Sequence, residues 1–340
     1  MRCSTYLILL ILLCSCSKAK DFNAPEYYKH INQAELAICN TDFEEALNEY
    51  RTAFTKIEKP FGKDLFNAAL VSELKNYHQI RDAYLQDIIN NSNDLGFVES
   101  VFVGHYMNEE EWKILVNNRV VKYDQELYRE FEHMRAEDQL FRPMYGTHDD
   151  TINAIRKRNL EQIKKLTDSI GFPSHIELGY SKTFWNQPHD MVLHHTAQRR
   201  SYDKSVIDLE PILRSAVESG RFDPEKAILY LNFQDDREKD YFEVYSSWQH
   251  KHPLLPDSLN NKVWYMKLNA EQRQMANATR EKWFANSIEE IEVKSKYLND
   301  TGLPFVFTSV RKSIGLMEDD LDKESALRQY HARTEYEIEQ

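Results

Sequence analysis

The side chains best suited to chemistry are histidines and acids in the middle of the chain. Five of the 12 histidines fall within 48 residues, at positions 148, 175, 189, 194 and 195. In one predicted helix Asp190 and His194 are four residues apart and share a face, and Asp138 and Arg142 have the same spacing earlier in the chain. The candidate ligand-binding or catalytic residues are His194, His195, Asp138, Arg142 and Asp190.

If the two helices face each other, these side chains would bind a carboxylate or phosphate, or position a general base. Structural or hydrogen-bonding roles are the alternative, because an acid with a histidine or arginine four residues on stabilises a helix surface locally.

Metal and cofactor sites are not expected. There is no H-E-x-x-H motif, and His194 and His195 project about 100° apart on a helix, which disfavours joint binding of one ion. Neither G-x-G-x-x-G nor G-x-x-x-x-G-K occurs, and G-x-S-x-G is also absent from the sequence. We therefore expect no nucleotide cofactor, no metal and no nucleophile elbow.

The amino terminus predicts an exported protein. Arg2 precedes an apolar run over residues 6–13, which is typical of a secretory signal peptide and too short to span a bilayer. The following residues, Leu13-Cys14-Ser15-Cys16, resemble the lipobox of bacterial lipoproteins. The resemblance implies cleavage after residue 15, a lipid on Cys16 and a tether over residues 16–24. The alternative is an ordinary signal peptide with Cys16 incidental.

Cysteine usage and charge narrow the partners. The four cysteines lie at positions 3, 14, 16 and 39, so only Cys39 would remain unmodified after processing, and no disulfide framework is expected. The 43 basic residues are outnumbered by 55 acids, which gives a net charge of -12 and disfavours nucleic acid as a partner. The expected location is the outer membrane, with the protein facing the periplasm.

Glycine and proline are scarce, with 9 and 10 copies in 340 residues, so helix is the expected structure. An offset of 34 residues aligns four pairs of similar side chains: Ala34 with Ala68, Leu36 with Leu70, Phe43 with Tyr77, and Tyr50 with Tyr84. Residues 42–47 with Tyr50, Ala53 and Phe54 resemble the second helix of a tetratricopeptide repeat, whose period is 34. Residues 25–94 are therefore predicted to form a pair of such repeats, against the alternative of unrelated amphipathic helices.

A second predicted unit covers residues 95–251. This unit contains several short motifs: Glu137-Asp138-Gln139 with Arg142, Asn159-Leu160, Gly171-Phe172-Pro173, Gly179, Leu193-His194-His195, Gly220, and residues 227–231. They resemble an uncharacterised family of bacterial proteins, often exported. The chain departs from that family where Lys157 and Arg158 precede Asn159 in place of an acid, and it lacks a closing Gln-x-Tyr-Gly-Thr segment. The resemblance implies which polar residues matter, but no activity.

The remaining residues, 252–340, are predicted to be a helical region after a proline-bracketed linker. Residues 305–310 have strand character, without an identifiable partner strand. The sequence thus predicts an all-α protein in which tetratricopeptide-like hairpins pack on a multi-helix domain.

The predicted function is a lipid-anchored scaffold of the cell envelope that binds a protein or peptide through its repeats. The alternative is an envelope hydrolase or small-ligand-binding protein using the His/Asp/Arg group. Enzymatic activity and oligomeric state are left open.

Overall fold

The computed structural model describes residues 23–140, 148–182, 184, 187–200, 206–234, 247–250, 263–265, 268–310 and 312–315. Most of these residues are helical, which confirms the predicted all-α fold. The predicted lipid site Cys16 and the predicted ligand residue Arg142 lie outside the described residues. None of the described helices is long and apolar enough to cross a membrane.

Fourteen helices are described, and a short sheet accompanies them. In chain order the helices are α1 (Ala24–Cys39), α2 (Phe43–Ala53), α3 (Gly62–Leu74), α4 (His78–Asn91), α5 (Gly96–Phe102), α6 (Glu109–Asn117), α7 (Gln125–Leu140), α8 (Asp149–Ile170), α9 (His175–Leu178), α10 (Asp190–Arg200), α11 (Glu210–Glu218), α12 (Pro224–Gln234), α13 (Ala270–Lys282) and α14 (Ile288–Thr301).

Several helix starts follow directly from capping residues that the sequence displays. Asn108 accepts a hydrogen bond from the Glu111 amide at 3.0 Å, and the Glu111 carboxylate accepts one from the Asn108 amide at 2.9 Å. Ser287 and Glu290 form the same reciprocal box at the start of α14. Asp223 accepts from the Glu225 amide at 2.9 Å, before α12. These bonds satisfy amides that have no partner inside the helix, and they explain why the helices begin at these residues.

Helices α1 and α2 form one helical hairpin, and α3 and α4 form a second that packs on it. By helical spacing Ala46, Tyr50 and Ala53 lie on one face of α2. All three are 0% exposed, so this face is buried. The two alanines let the neighbouring helix approach, and Tyr50 fills the space beside them. Predicted residues therefore define the packing face of the hairpin.

Helix α3 is buried on all sides. Its eleven residues from Gly62 to Ser72 are all buried, so no face of this part of the helix is open to solvent. One side is covered by the segment 302–307, whose residue Val306 exchanges two hydrogen bonds with the Asn67 side chain, at 2.9 and 2.8 Å. Residues 302–307 thus cover a surface of α3 that would be open to a partner if the hairpins stood alone.

The structure has no strand at residues 305–310, where the sequence predicted one. Residues 302–307 form neither helix nor strand, whereas β3 is Lys312–Gly315, a few residues later. It runs parallel to β1 (Ser247–His250), which pairs antiparallel with β2 (Val263–Tyr265), giving the order β2-β1-β3. The partner strands come from a distant part of the sequence, and for that reason local pattern could not identify them. Strand β2 also interrupts the predicted C-terminal helical region.

One hydrophobic core extends from α1 to residue Phe307. It is continuous because α1 packs against both α11 and α14, which brings the two ends of the described chain together. Cys39 packs at the edge of this core, and burial raises the pKa of its thiol to about 12. The thiol is therefore held in its protonated form at neutral pH.

Candidate functional site

Two of the predicted site residues form a close pair. Helix α10 packs against α7, and His195 Nδ1 lies 2.5 Å from the Asp138 carboxylate oxygen Oδ2. Both side chains are buried, with 7% and 3% exposure. Nε2 of His195 makes no hydrogen bond with a residue that the structure describes. A carboxylate that fixes one ring nitrogen of a histidine holds the other in position for proton transfer.

Other predicted residues are placed elsewhere. Asp190 accepts hydrogen bonds from the Gln187 amide at 2.6 Å and from Lys226 Nζ at 2.9 Å. Asp190 begins α10, so its carboxylate caps that end of the helix and neutralises a buried lysine instead of facing Asp138. His194 packs edge-on against Phe233, with ring centroids 4.6 Å apart. Among the described residues the expected single group of side chains therefore divides, with Asp138 in contact with His195 and Asp190 in contact with Lys226.

Residues near this pair include several from the central motifs. Gln139 donates a hydrogen bond to Asp138 at 3.0 Å, and Asn159 on α8 donates to the Met134 carbonyl of α7 at 3.2 Å. The Asn159 bond joins α7 to α8, and α10 packs against both helices. Motifs that are separated in the sequence thus meet around one helix.

A polar cavity lies at the other end of α10, between the start of α3, the short helix α9 and the start of α12. We call it the His189 cavity. Its aromatic walls are Phe61, Tyr180, Phe184 and Phe222. Its polar lining includes Lys63, Ser174, His175, Ser181, Gln187, His189, Arg221, Asp223, Lys226 and Thr308.

The His189 cavity is lined by buried polar atoms without hydrogen-bond partners. These atoms are Ser181 Oγ, Gln187 Oε1 and both ring nitrogens of His189, and none has a partner among the described residues. His189 is 1% exposed and Ser181 7% exposed. Oδ1 of Asp190 is also unpartnered, and it lies 3.8 Å from His189 Nε2, beyond hydrogen-bond distance. Each such atom destabilises the fold by about 1–3 kcal/mol unless something binds it.

Burial keeps the histidines of the cavity neutral. It lowers the pKa of His189 to about 4, and Lys226 lowers it further, whereas Asp190 acts in the opposite direction. Burial also lowers the pKa of His175 to about 3. Rings of Phe131, Phe172 and Phe222 surround His189 with centroids 5.3 to 6.3 Å away. At neutral pH His189 therefore offers one donor and one acceptor.

The backbone around the cavity is tightly constrained. A Cβ atom on Gly62 would lie 2.7 Å from the rings of Tyr180 and Phe184, so these rings can approach α3 only because residue 62 is glycine. Phe184 has φ of 60°, a left-handed conformation that side chains disfavour. Strain of this kind concentrates at binding and catalytic sites, and here it lies in the cavity wall.

A cluster of buried charges adjoins the cavity on the far side of Lys63. We call it the charge cluster; its members are Glu35, Lys63, Asp64, Asp223 and Lys294. Lys63 Nζ lies 2.7 Å from Asp64 and 3.9 Å from both Glu35 and Asp223, and Lys294 Nζ lies 2.6 Å from Glu35. Every carboxylate in this cluster thus has an ammonium group within 4 Å.

Protonation in the charge cluster is shifted by its burial. Burial raises the pKa of Asp64 to about 6, although Lys63 opposes the shift. Tyr27 donates a hydrogen bond of 2.5 Å to the same carboxylate. Burial acts to lower the pKa of Lys63, but the surrounding carboxylates outweigh it and raise that pKa above its ordinary value. Lys63 therefore remains charged where it separates the cluster from the His189 cavity.

Sequence reasoning missed most of the cavity. Only His175 and His189 carried a signal, as members of the histidine-rich stretch, and the nearby residues His194, His195 and Asp190 received the predicted roles instead. Ser181 and Gln187 match no motif, and Lys63 lies more than 100 residues away in the chain. Unpartnered buried atoms are a property of the folded structure, so no sequence pattern could have identified these residues.

Neither a metal-binding group among the described residues nor a known relative identifies the site. Among the described residues, no group of three or more His, Cys, Asp or Glu side chains is placed to hold a metal ion. Comparisons with protein-family models, curated proteins and solved structures find no match to this chain.

Proposed function

We propose that the protein is a lipid-anchored binding protein of the cell envelope that holds a small polar ligand in the His189 cavity. The observation that supports this proposal is the set of unpartnered atoms of Ser181, Gln187 and His189 around one space. Pockets that bind small molecules combine apolar walls with a few convergent polar groups, and the aromatic walls here fit that description.

A cavity ligand accounts for the structure better than an open repeat surface does. Segment 302–307 covers part of α3, and no residue from Gly62 to Ser72 is exposed. Binding of a peptide or protein to the hairpins stays a prediction, and its partner would have to use surfaces outside this stretch of α3.

The ligand proposal is tested by thermal unfolding of the full chain against separate panels of sugars and polyols, amino acids, carboxylates and phosphates. A ligand at 100 times its Kd stabilises the folded state by about 2.7 kcal/mol. We expect one class to raise Tm in the wild type but not in a Ser181→Ala/Gln187→Met variant. An absence of any shift, or equal shifts in both proteins, would count against the cavity as the site.

The membrane anchor is tested separately. Replacing Cys16 with Ser removes the thiol that the lipobox resemblance implies is lipidated. We expect the variant to move from the membrane to the soluble fraction, while Cys39→Ser stays at the membrane. Membrane retention of the Cys16→Ser protein would contradict the anchor.

A hydrolase is the second candidate function, favoured by the 2.5 Å contact between His195 and Asp138. In this alternative His195 Nε2 accepts a proton from water or a hydroxyl group, and Asp138 stabilises the charged ring. Hydrolysis of 4-nitrophenyl acetate and 4-nitrophenyl phosphate should then fall at least tenfold in His195→Gln and Asp138→Asn. Rates unchanged from the wild type, or no turnover by the wild type, would rule out hydrolysis of these esters by the pair.

A further inference from the structure

The unpartnered atoms of the His189 cavity define what a ligand must offer. Gln187 Nε2 donates to the Gly179 carbonyl at 3.0 Å, which fixes the amide and leaves Oε1 as an acceptor. Neutral His189 supplies one acceptor and one donor, and the Ser181 hydroxyl group can do either. Asp190 Oδ1 adds a further acceptor beside the His189 ring. A matching ligand therefore donates at least as many hydrogen bonds as it accepts.

Charge in the cavity wall is already balanced. Lys63 is paired with Asp64 at 2.7 Å, and Lys226 with Asp190 at 2.9 Å. Arg221 is paired with Glu177, also at 2.7 Å. An anion would find each of these cations neutralised and would meet mostly acceptor atoms. A cation would likewise find the carboxylates of Asp64, Glu177 and Asp190 already paired, so an uncharged group fits best.

The size of the cavity limits how much of a ligand enters. The space that the centres of water molecules can occupy is about 40 Å³. Since one water needs about 10–15 Å³ on this measure, the cavity holds about three waters or one short polar group. The rest of a larger ligand would remain outside the cavity.

We propose that the His189 cavity binds the uncharged hydroxymethyl end of a polyhydroxylated molecule, a sugar or sugar alcohol; this inference rests on the proposed ligand-binding function. The hydroxyl group donates to Gln187 Oε1 or to the unprotonated nitrogen of His189 and accepts from the Ser181 hydroxyl. Its CH2 group and the adjoining C–H groups pack against the aromatic walls.

The experiment compares each of three hexoses with analogues that differ from it only at carbon 6. Isothermal titration of the full chain uses glucose, galactose and mannose, each beside its 6-deoxy sugar, its 6-amino-6-deoxy sugar and its uronate. We expect at least one parent hexose to bind and each of its three analogues to bind at least tenfold more weakly. A site built around a buried hydroxyl group leaves its own polar atoms unpaired when that group is missing or charged.

Three variants locate the binding site. Ser181→Ala and Gln187→Met should each weaken binding of the parent hexose at least fivefold, whereas Lys296→Ala on the exposed face of α14 should not change it. Circular dichroism checks that each variant is folded. Binding that is insensitive to both cavity variants would overturn the proposal, because the sugar would then lie elsewhere.

The outcomes separate this inference from the proposed function. If a uronate or amino sugar binds as tightly as its parent, and the cavity variants abolish that binding, the ligand class is wrong and the cavity remains a binding site. The same holds if only amino acids, carboxylates or phosphates stabilise the protein through the cavity. If no probe of any class binds, the cavity holds only water and both proposals fail.

Discussion

The His189 cavity and the charge cluster share Lys63, but they satisfy their polar groups in opposite ways. In the cluster, Glu35 and Asp64 each have an ammonium group within 2.7 Å. In the cavity, Ser181 and His189 are almost as buried and have polar atoms without partners in the described structure.

The difference separates two reasons for burying polar side chains. A paired charge has its counterion within the fold, although Glu35 Oε1 accepts no hydrogen bond from the described residues, and removing one partner leaves the other charge buried and unpaired. An unpartnered hydroxyl group or ring nitrogen destabilises the fold unless something binds it, and several of them around one cavity are the basis of the proposed ligand. We accordingly expect the cluster to be structural and the cavity to hold the proposed ligand.

Breaking the charge cluster should produce the largest effect. Lys294→Met removes the cation 2.6 Å from Glu35, which is 2% exposed. We expect the free energy of unfolding to fall by about 3–5 kcal/mol, as for other buried pairs that lose one partner. Urea denaturation followed by circular dichroism measures the change.

The exposed pair of Lys296 and Asp300 on the same helix provides the control. Its side chains are 73% and 50% exposed, so Lys296→Met should change stability by about 0.5 kcal/mol or less. A loss below 1 kcal/mol in Lys294→Met would show that the cluster is not a structural element.

In the cavity, acidification should lower the unfolding free energy of the wild type more than that of a His189→Phe variant. The folded pKa of His189 is about 4, below the reference value of about 6.5. Its neutral form therefore stabilises the fold fully above about pH 6.5, and this contribution is lost as pH falls towards 4. The His189→Phe variant lacks this loss.

The measurement is the difference in unfolding free energy between His189→Phe and the wild type at pH 7, 6 and 5. It should grow in favour of the variant by up to about 1.4 kcal/mol per pH unit below 6.5. Asp64 and His175 titrate in both proteins and cancel. A difference that stays constant with pH would mean that His189 is not held neutral by burial.

Two serines of the cavity wall give the smallest and most closely matched comparison. Ser174 accepts a hydrogen bond from the Ile176 amide at 3.1 Å as the cap of α9, whereas Ser181 Oγ has no partner in the described structure. Without ligand, Ser174→Ala should lower the unfolding free energy by about 1 kcal/mol. Ser181→Ala should leave it unchanged within about 0.5 kcal/mol or raise it. Equal losses in thermal or urea unfolding would remove the distinction between the two residues.

The sequence predicted those parts of the structure that local chemistry determines. Capping residues such as Asn108 and Ser287 mark the helix starts, because they bond with amides three residues away. The face of α2 follows from helical spacing. His195 and Asp138 were both candidate residues in the sequence, but their contact was expected only if the two helices face each other.

What could not be predicted depends on distant partners. Strand β3 pairs with β1, more than 60 residues earlier, so strand character was assigned to the wrong residues. Asp190 was grouped with Asp138 because nothing in the sequence reveals its contact with Lys226. The His189 cavity is assembled from four separate helices and their flanking loops, and only the folded chain brings these together.

The contacts between the first helices and the last ones also bear on the order of folding. Glu35 meets Lys294 across 259 residues, and Asn67 meets Val306 across 239. A chain emerging from its amino terminus therefore presents both hairpins long before their polar groups can be satisfied. Closing such long loops is slow and entropically unfavourable. Final packing of α1 and α3 must accordingly be a late event, completed only when the carboxyl-terminal helices are available.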